Sequence, residues 1–380
     1  MTDLARRRGC EKTIERDPKT GREIWRMTGF AAHDVHTYYD ACSWSPDGSR
    51  IAFTSILPGD VVPDKLDSTP KGVLFVMDAD GGNIECAREN VAFELHTGCL
   101  PIWKDNRTIV HRGKTTDGSR YTGIVDTGTG KSRDVPGMLG RFLSPDGSKL
   151  ICQSEESHTS DKQKAIVVDL DDLTCRDLVS SDELGEALLE TFNRADRMPG
   201  VDAKRMVNPQ VANLKWSPNG SRIMLRFNYM PGQYMKSLFV LNPDGTGLKR
   251  LNLVTPRFGH HSWHPDGEHI LYCDRNEAGP GSIYYLTDAQ GLNRRALHND
   301  MLGSHPLFNP AGTEIVDFGG GWIWHLNLKT GDVQKLASYT NNLHPGLHAH
   351  PSWSRDGSQI IYHSDHTGTS QIYVIPLNGG

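Results

Sequence analysis

Three histidines hold the same place in three successive repeats of this chain. The segments are His260-His261-Ser262-Trp263-His264-Pro265-Asp266-Gly267, Ser304-His305-Pro306-Leu307-Phe308-Asn309-Pro310-Ala311-Gly312, and His348-Ala349-His350-Pro351-Ser352-Trp353-Ser354-Arg355-Asp356-Gly357. His260, His305 and His350 each lie three residues before the aromatic that opens a polar turn. Imidazole does two kinds of chemistry at neutral pH: it ligates divalent metals through a neutral nitrogen, and it takes or gives a proton. Three or four imidazoles with coordination positions left open describe a catalytic rather than a closed structural site.

The distribution favours one site over chance. Twelve of the 17 histidines fall after residue 259. At the matching place in the earlier repeats stand Ala41, Leu100, Gly140 and Asn213. His348 precedes His350 by two residues, the spacing that puts two strand side chains on one face. A lone strand histidine is ordinarily a hydrogen-bonded structural residue, and His33, His36, His96, His111, His158, His269, His298 and His325 are read that way. His363 and His366, in an ordinary turn, are expected at the surface. His261 and His264 stand between the two readings.

The elements that must position these residues recur seven times. An aromatic or leucine, a polar turn and a β-branched run centre on Trp44, Trp103, Leu143, Trp216, Trp263, Phe308 and Trp353. Trp44-Ser45-Pro46-Asp47-Gly48-Ser49-Arg50-Ile51-Ala52-Phe53 is a clear example, and a second apolar strand follows each. Short β-branched runs between Gly, Asn, Asp and Pro clusters mark antiparallel strands, and recurrence every ~40–50 residues with four strands per unit marks a β-propeller. The spacing predicts an all-β, seven-bladed propeller over residues 1–380 as a single domain. The strand Thr20–Thr28 is expected to complete the last blade and remove a free sheet edge. Trp44, Trp216 and Trp353 are expected in the blade cores. Pro58–Thr69 reads as an extended loop. The long interval between Leu143 and Trp216 predicts a helical insertion at 181–206, opened by an N-cap at Ser181 and an acidic first turn.

Composition excludes other classes. The 380 residues carry a net charge of −5, and Arg6-Arg7-Arg8 is the one short basic run, expected to be a solvated terminus. That gives no basic footprint for nucleic acid. No stretch approaches ~18 consecutive apolar residues, so no membrane span is expected, and the first residues lack the apolar core of a secretory signal. Seven dispersed cysteines with no C-x-x-C pair read as reduced thiols of a cytoplasmic protein. Neither a G-x-S-x-G elbow nor a phosphate-cradling P-loop is present.

The turn repeats are similar to those of TolB-type and prolyl-oligopeptidase-type propellers. More specifically, the His348–Trp353 segment with the histidines before Phe308 and Trp263 resembles the oligogalacturonate lyases, pectin-degrading seven-bladed propellers. That resemblance implies β-elimination on a uronic-acid oligosaccharide, with a divalent metal, usually manganese, held by three histidines and a glutamine. Carried over, it makes His305, His348 and His350 ligands and His260 the base. The glutamine falls at Pro345, where neighbouring His344 could substitute. The family's arginine falls near Ser217, where none stands; Lys215, Arg226 or Arg257 is left for its cationic role. His261, Arg257 and Asn213 are candidate substrate contacts. The competing reading is a non-catalytic, TolB-like propeller that binds a ligand or protein.

Overall fold

The computed structural model describes residues 7–57, 60, 69–154, 163–194, 209–230, 235–253, 258–275, 281–343 and 347–377. They form a seven-bladed β-propeller of antiparallel sheets, five of four strands and two of five. Two compact units carry the sheets, Met1–Pro136 with Leu302–Gly380, and Gly137–Met301.

The first unit holds four sheets. Blade one is His33–Val35, Arg50–Ile56, Thr69–Asp78 and Ile84–Phe93; blade two is Ile102–Trp103, Thr108–Lys114, Arg120–Asp126 and Ser132–Pro136. Blade six is Leu307–Phe308, Glu314–Gly319, Trp322–Asn327 and Val333–Ser338. Blade seven starts with Ser352–Trp353, Gln359–Ser364 and Gln371–Pro376, and the strand Glu23–Arg26 pairs with the last of these through Trp25↔Val374 and Arg26↔Tyr373. Thr13–Arg16 adds a fifth strand that the repeat pattern did not foretell.

One sequence expectation is reversed at the N-terminus. Arg8 is not solvated: its side chain is 1% exposed and pairs with Asp34 at 2.7 Å and Glu11 at 2.8 Å. It lies over the rings of Phe30, Phe53 and Phe75. The strand Arg7–Gly9 pairs with Ile84–Phe93 and extends blade one. A guanidinium taken from water needs such compensation, because an unpaired buried charge costs several kcal/mol.

The second unit holds blade three (Met138–Leu143, Lys149–Ser154, Lys164–Asp169, Cys175–Ser180), blade four (Gln210–Trp216, Ile223–Met230, Met235–Leu241, Lys249–Arg250) and blade five (His261–Trp263, His269–Arg275, Ser282–Asp288, Arg295–Met301). The predicted insertion contains α1, Ser181–Arg194; its remainder, 195–206, lies outside the described residues. The cap is Ser180, one residue before the expected Ser181. Ser180 N and Oγ both donate to Glu183 Oε2 at 2.7 Å, and Glu183 N donates back to Ser180 Oγ at 3.2 Å, a reciprocal capping box. Leu184 and Leu188 are fully buried against Val211, Leu214 and Phe227, which anchors α1 to the sheet.

The recurring turn explains itself chemically. In blade one Asp47 Oδ1 accepts from Ser45 Oγ, Ser49 N and Ser49 Oγ, and Gly48 takes φ 74°. These donors hold the Asp47 carboxyl down at about 2. The tryptophans then strap neighbouring blades: Trp103 Nε1 donates to Ser43 O (2.8 Å), Trp263 Nε1 to Lys215 O (3.3 Å) and Trp353 Nε1 to Leu307 O (3.1 Å). Each acceptor immediately precedes the aromatic of the blade before. Trp44, Trp216 and Trp353 are buried at 1%, 9% and 4% exposure, as blade core. Each strap fixes the short first strand of a sheet, and the histidine segments lie just upstream of those strands.

Candidate active site

Each compact unit carries its own polar cluster. In the first unit, His348 and His350 come from the segment entering Ser352–Trp353, and His305 from the one entering Leu307–Phe308. His96 comes from the turn after Ile84–Phe93. The ligand nitrogens of His96, His348 and His350 all lie within 4.8 Å of one another. The His305 ring stands 5.3 Å from His348 and 5.2 Å from His350. Tyr38, Tyr39 and Phe318 wall the group: Tyr38 is 4.9 Å from His350, Tyr39 is 5.1 Å from His305, and Phe318 is 4.9 Å from His305.

The backbone aims these side chains. His350 has φ 46°, in the left-handed region, so the segment carrying His348 and His350 departs from the simple strand alternation expected from their spacing. Leu100 and Asn213, three residues before their own tryptophans, share that conformation at φ 51° and 48°. The left-handed residue therefore recurs at that place in three blades, and His350 is one of them. His305 is fixed through its backbone N–H, which donates to both Asp317 carboxylate oxygens at 2.9 and 3.0 Å. Its Nδ1 lies 3.0 Å from Ser304 Oγ.

His36 and His363, expected to be ordinary or superficial, belong to the edge of this group. His363 is fully buried, with its ring 5.9 Å from His350 and 4.9 Å from His36. Its backbone N–H donates to Ala349 O at 3.1 Å, and His36 Nε2 is 3.4 Å from the same carbonyl. His366 is exposed, as expected. Burial, followed by the neighbouring His96, His305, His348 and His363 imidazoles, holds His350 well below the ordinary histidine range. Both His350 ring nitrogens are buried with no hydrogen-bond partner among the described residues. Buried polar atoms are nearly always satisfied, and a ring nitrogen without a donor or acceptor is one that can take a metal.

The donor set fits an ion. Metal–imidazole bonds of ~2.0–2.1 Å put two ligands of one ion no more than ~4.2 Å apart, so nitrogens within 4.8 Å need only small adjustments. His344, the proposed substitute ligand, lies outside the described residues, as does Pro345.

The second unit assembles cations around His260 and His261. Lys215 is next to last in the strand Gln210–Trp216, and Arg226 pairs in the sheet with Ala212 and Leu238. Lys236 pairs with Asn228 and places its Nζ 5.3 Å from the Phe258 ring centroid. Lys215 Nζ donates to His261 O. Burial comes first, then Arg226, Lys236, His261 and Lys215, in holding His260 well below its ordinary pKa. His261 is lowered likewise, by burial and then Lys215, while a backbone hydrogen bond with Asn213 works the other way. Burial, then Arg226, pulls Lys236 down to about 8. Lys215, Arg226, His260, His261 and Asn213 are thus neighbours; Arg257 lies outside the described residues. Such a group keeps one imidazole neutral amid positive charge, which suits a base acting on an anionic substrate.

His96 and Lys236 were not legible as site residues. His96 lies seven residues before Trp103, so a search at one fixed offset passes over it, whereas a search of every segment entering a first strand finds it. Lys236 follows only from the register of two neighbouring strands.

No protein-family model matches the chain. An oligogalacturonide lyase of Pectobacterium atrosepticum is 24% identical over 162 residues, covering 36% of this chain and 42% of that protein. An oligogalacturonate lyase of Dickeya dadantii is 23% identical over 162 residues, with the same coverage. The matched region is thus less than half the length of these relatives. Among solved structures, an oligogalacturonate lyase in complex with manganese superposes with a TM-score of 0.74 at 18% identity, covering 97% of this chain and 96% of that one. An oligogalacturonate lyase from Vibrio parahaemolyticus gives 0.69 at 14% identity, with 97% of each chain covered. The chain resembles oligogalacturonate lyases, in fold over nearly its whole length and in sequence over part of it.

Proposed function

We propose that the protein is a metal-dependent carbon–oxygen lyase that cleaves short uronate oligosaccharides of the oligogalacturonate kind by β-elimination, in the cytoplasm. The observation that carries the reading is the set of imidazole nitrogens gathered within 4.8 Å by His96, His348 and His350. The likeness to lyases, one of them solved with manganese, supports it, and the free cysteines suit a reducing compartment.

The difficulty in uronate elimination is the C5 proton, a very weak acid beside an ionised carboxylate. A divalent ion, manganese in this proposal, held by His305, His348 and His350, would supply Lewis acidity to that carboxylate. His260, held neutral by its surroundings, takes the C5 proton. The electron pair of the C5–H bond becomes the C4=C5 double bond. The C4–O bond breaks, and the oxygen departs with its electrons and is protonated. Lys215 and Arg226 balance the substrate's negative charge and keep His260 unprotonated, while His261 and Asn213 contact the sugar. His344 and Arg257 remain candidates for the ligand and cationic roles that the resemblance leaves open at Pro345 and Ser217.

The test is product chemistry. Digalacturonate with Mn²⁺ should give rising ultraviolet absorbance from the unsaturated uronate. Absence of any unsaturated product across a panel of uronate oligomers would refute the assignment, and saturated products would point to hydrolysis.

A further inference from the structure

The resemblance gives the metal three histidines and a glutamine, yet Pro345 stands at the glutamine's place, and a proline side chain has no donor atom. The structure offers another group. The His96 ring centroid is 4.7 Å from His348 and 4.6 Å from His350, edge-on to both, and its ligand nitrogen belongs to the same 4.8 Å group. The His305 ring centroid stands beside that group, 5.3 Å from His348 and 5.2 Å from His350. Blades six and seven supply three imidazoles, and the turn leading into blade two supplies the fourth.

We propose that His96 is the fourth metal ligand, making an all-imidazole donor set whose preference is displaced from manganese toward cobalt, nickel and zinc. This rests on the metal site of the proposed function. The physical argument lies in the donor atom. A glutamine binds through a hard amide oxygen, which suits Mn²⁺; an imidazole nitrogen suits the later first-row ions. Exchanging one for the other leaves Mn²⁺ binding nearly level and strengthens Co²⁺ binding. Four neutral ligands also leave the full divalent charge for a uronate carboxylate in an open coordination position.

The experiment titrates chelator-stripped full-length protein with Co²⁺, followed by visible absorbance, and then displaces it with Mn²⁺. In His96→Gln the Co²⁺ affinity should fall about tenfold, some 1.4 kcal/mol, while Mn²⁺ affinity changes little, so the Co²⁺/Mn²⁺ ratio collapses and the Co²⁺ spectrum changes. An unchanged ratio and spectrum in His96→Gln, with binding abolished in His350→Asn, would overturn the role of His96 and leave the metal site standing. Wild-type binding in His350→Asn would overturn both. Each variant's unfolding transition is recorded in chelator, and His96→Asn is the second substitution if glutamine does not fold there.

Discussion

Replacing His350 by asparagine should abolish metal-linked stability without disturbing the backbone. His350 sits at φ 46°, where most side chains are strained but asparagine is tolerated. Blade four already holds Asn213 at φ 48° in the equivalent place, so the substitution removes an imidazole and reproduces a conformation found elsewhere in the chain. A ligand that binds only the folded state at 100 times its Kd stabilises by about 2.7 kcal/mol. An unfolding entropy of ~2.1 cal/mol/K per residue gives about 0.8 kcal/mol/K for a chain of this length. The wild-type Tm should therefore rise about 3 °C at saturating Mn²⁺ if the whole chain melts together. It should rise roughly twice as far if the histidine-bearing unit, a little over half the chain, melts alone. In His350→Asn the rise should fall below about 1 °C. Calorimetric scans with and without Mn²⁺, after chelator treatment, measure it. An unmoved wild-type Tm, or a full rise in the variant, would refute the reasoning.

Further outcomes follow from the charged and buried groups. His260 is held below its ordinary range and Lys236 at about 8; kcat/KM should therefore stay high below pH 6.5 and decline above about 8 as Lys236 loses its charge. In Lys236→Gln the alkaline decline should vanish and KM should rise; an unchanged profile would remove Lys236 from the site. His111 is fully buried with its pKa lowered to about 4 by that burial. Its folded value lies below the unfolded one, so its contribution is full above about pH 6.5 and some 3 kcal/mol is lost as pH falls to 4. Urea unfolding across that range, compared with His111→Gln, checks this, and equal pH slopes would contradict it. A Cβ at Gly303 would stand 2.2 Å from Asp317 Cγ, and Asp317 holds the His305 backbone. Gly303→Ala should cost about 1–3 kcal/mol in urea and weaken Mn²⁺ binding.

The propeller was legible because its repeat is written in local chemistry. Asp47 and its counterparts organise the turn, a glycine takes the left-handed position, and a tryptophan straps each of several blades to its predecessor. The fixed offset of His305 and His350 was legible for the same reason, since both stand just before the short first strands of successive blades. What lay outside the repeat was not legible. His96 sits in a segment of irregular length before the first strand of blade two, and His36 directly follows the first strand of blade one. The burial of His363 depends on packing against another blade-seven segment, not on its own turn. Arg8 looked like part of a basic tail because its partners, Asp34 and the three phenylalanine rings, are distant in sequence. The left-handed turn at His350 was not legible either, because histidine, though enriched in that conformation among non-glycine residues, adopts it only in a minority of its occurrences.

The central claim is that one imidazole does the proton chemistry while others hold the ion. The most direct measurement is elimination turnover by His260→Ala carrying a verified equivalent of metal, on digalacturonate. The account predicts a variant that binds Mn²⁺ as the wild type does and forms no unsaturated product. Turnover near the wild-type rate in that metal-loaded variant would contradict it.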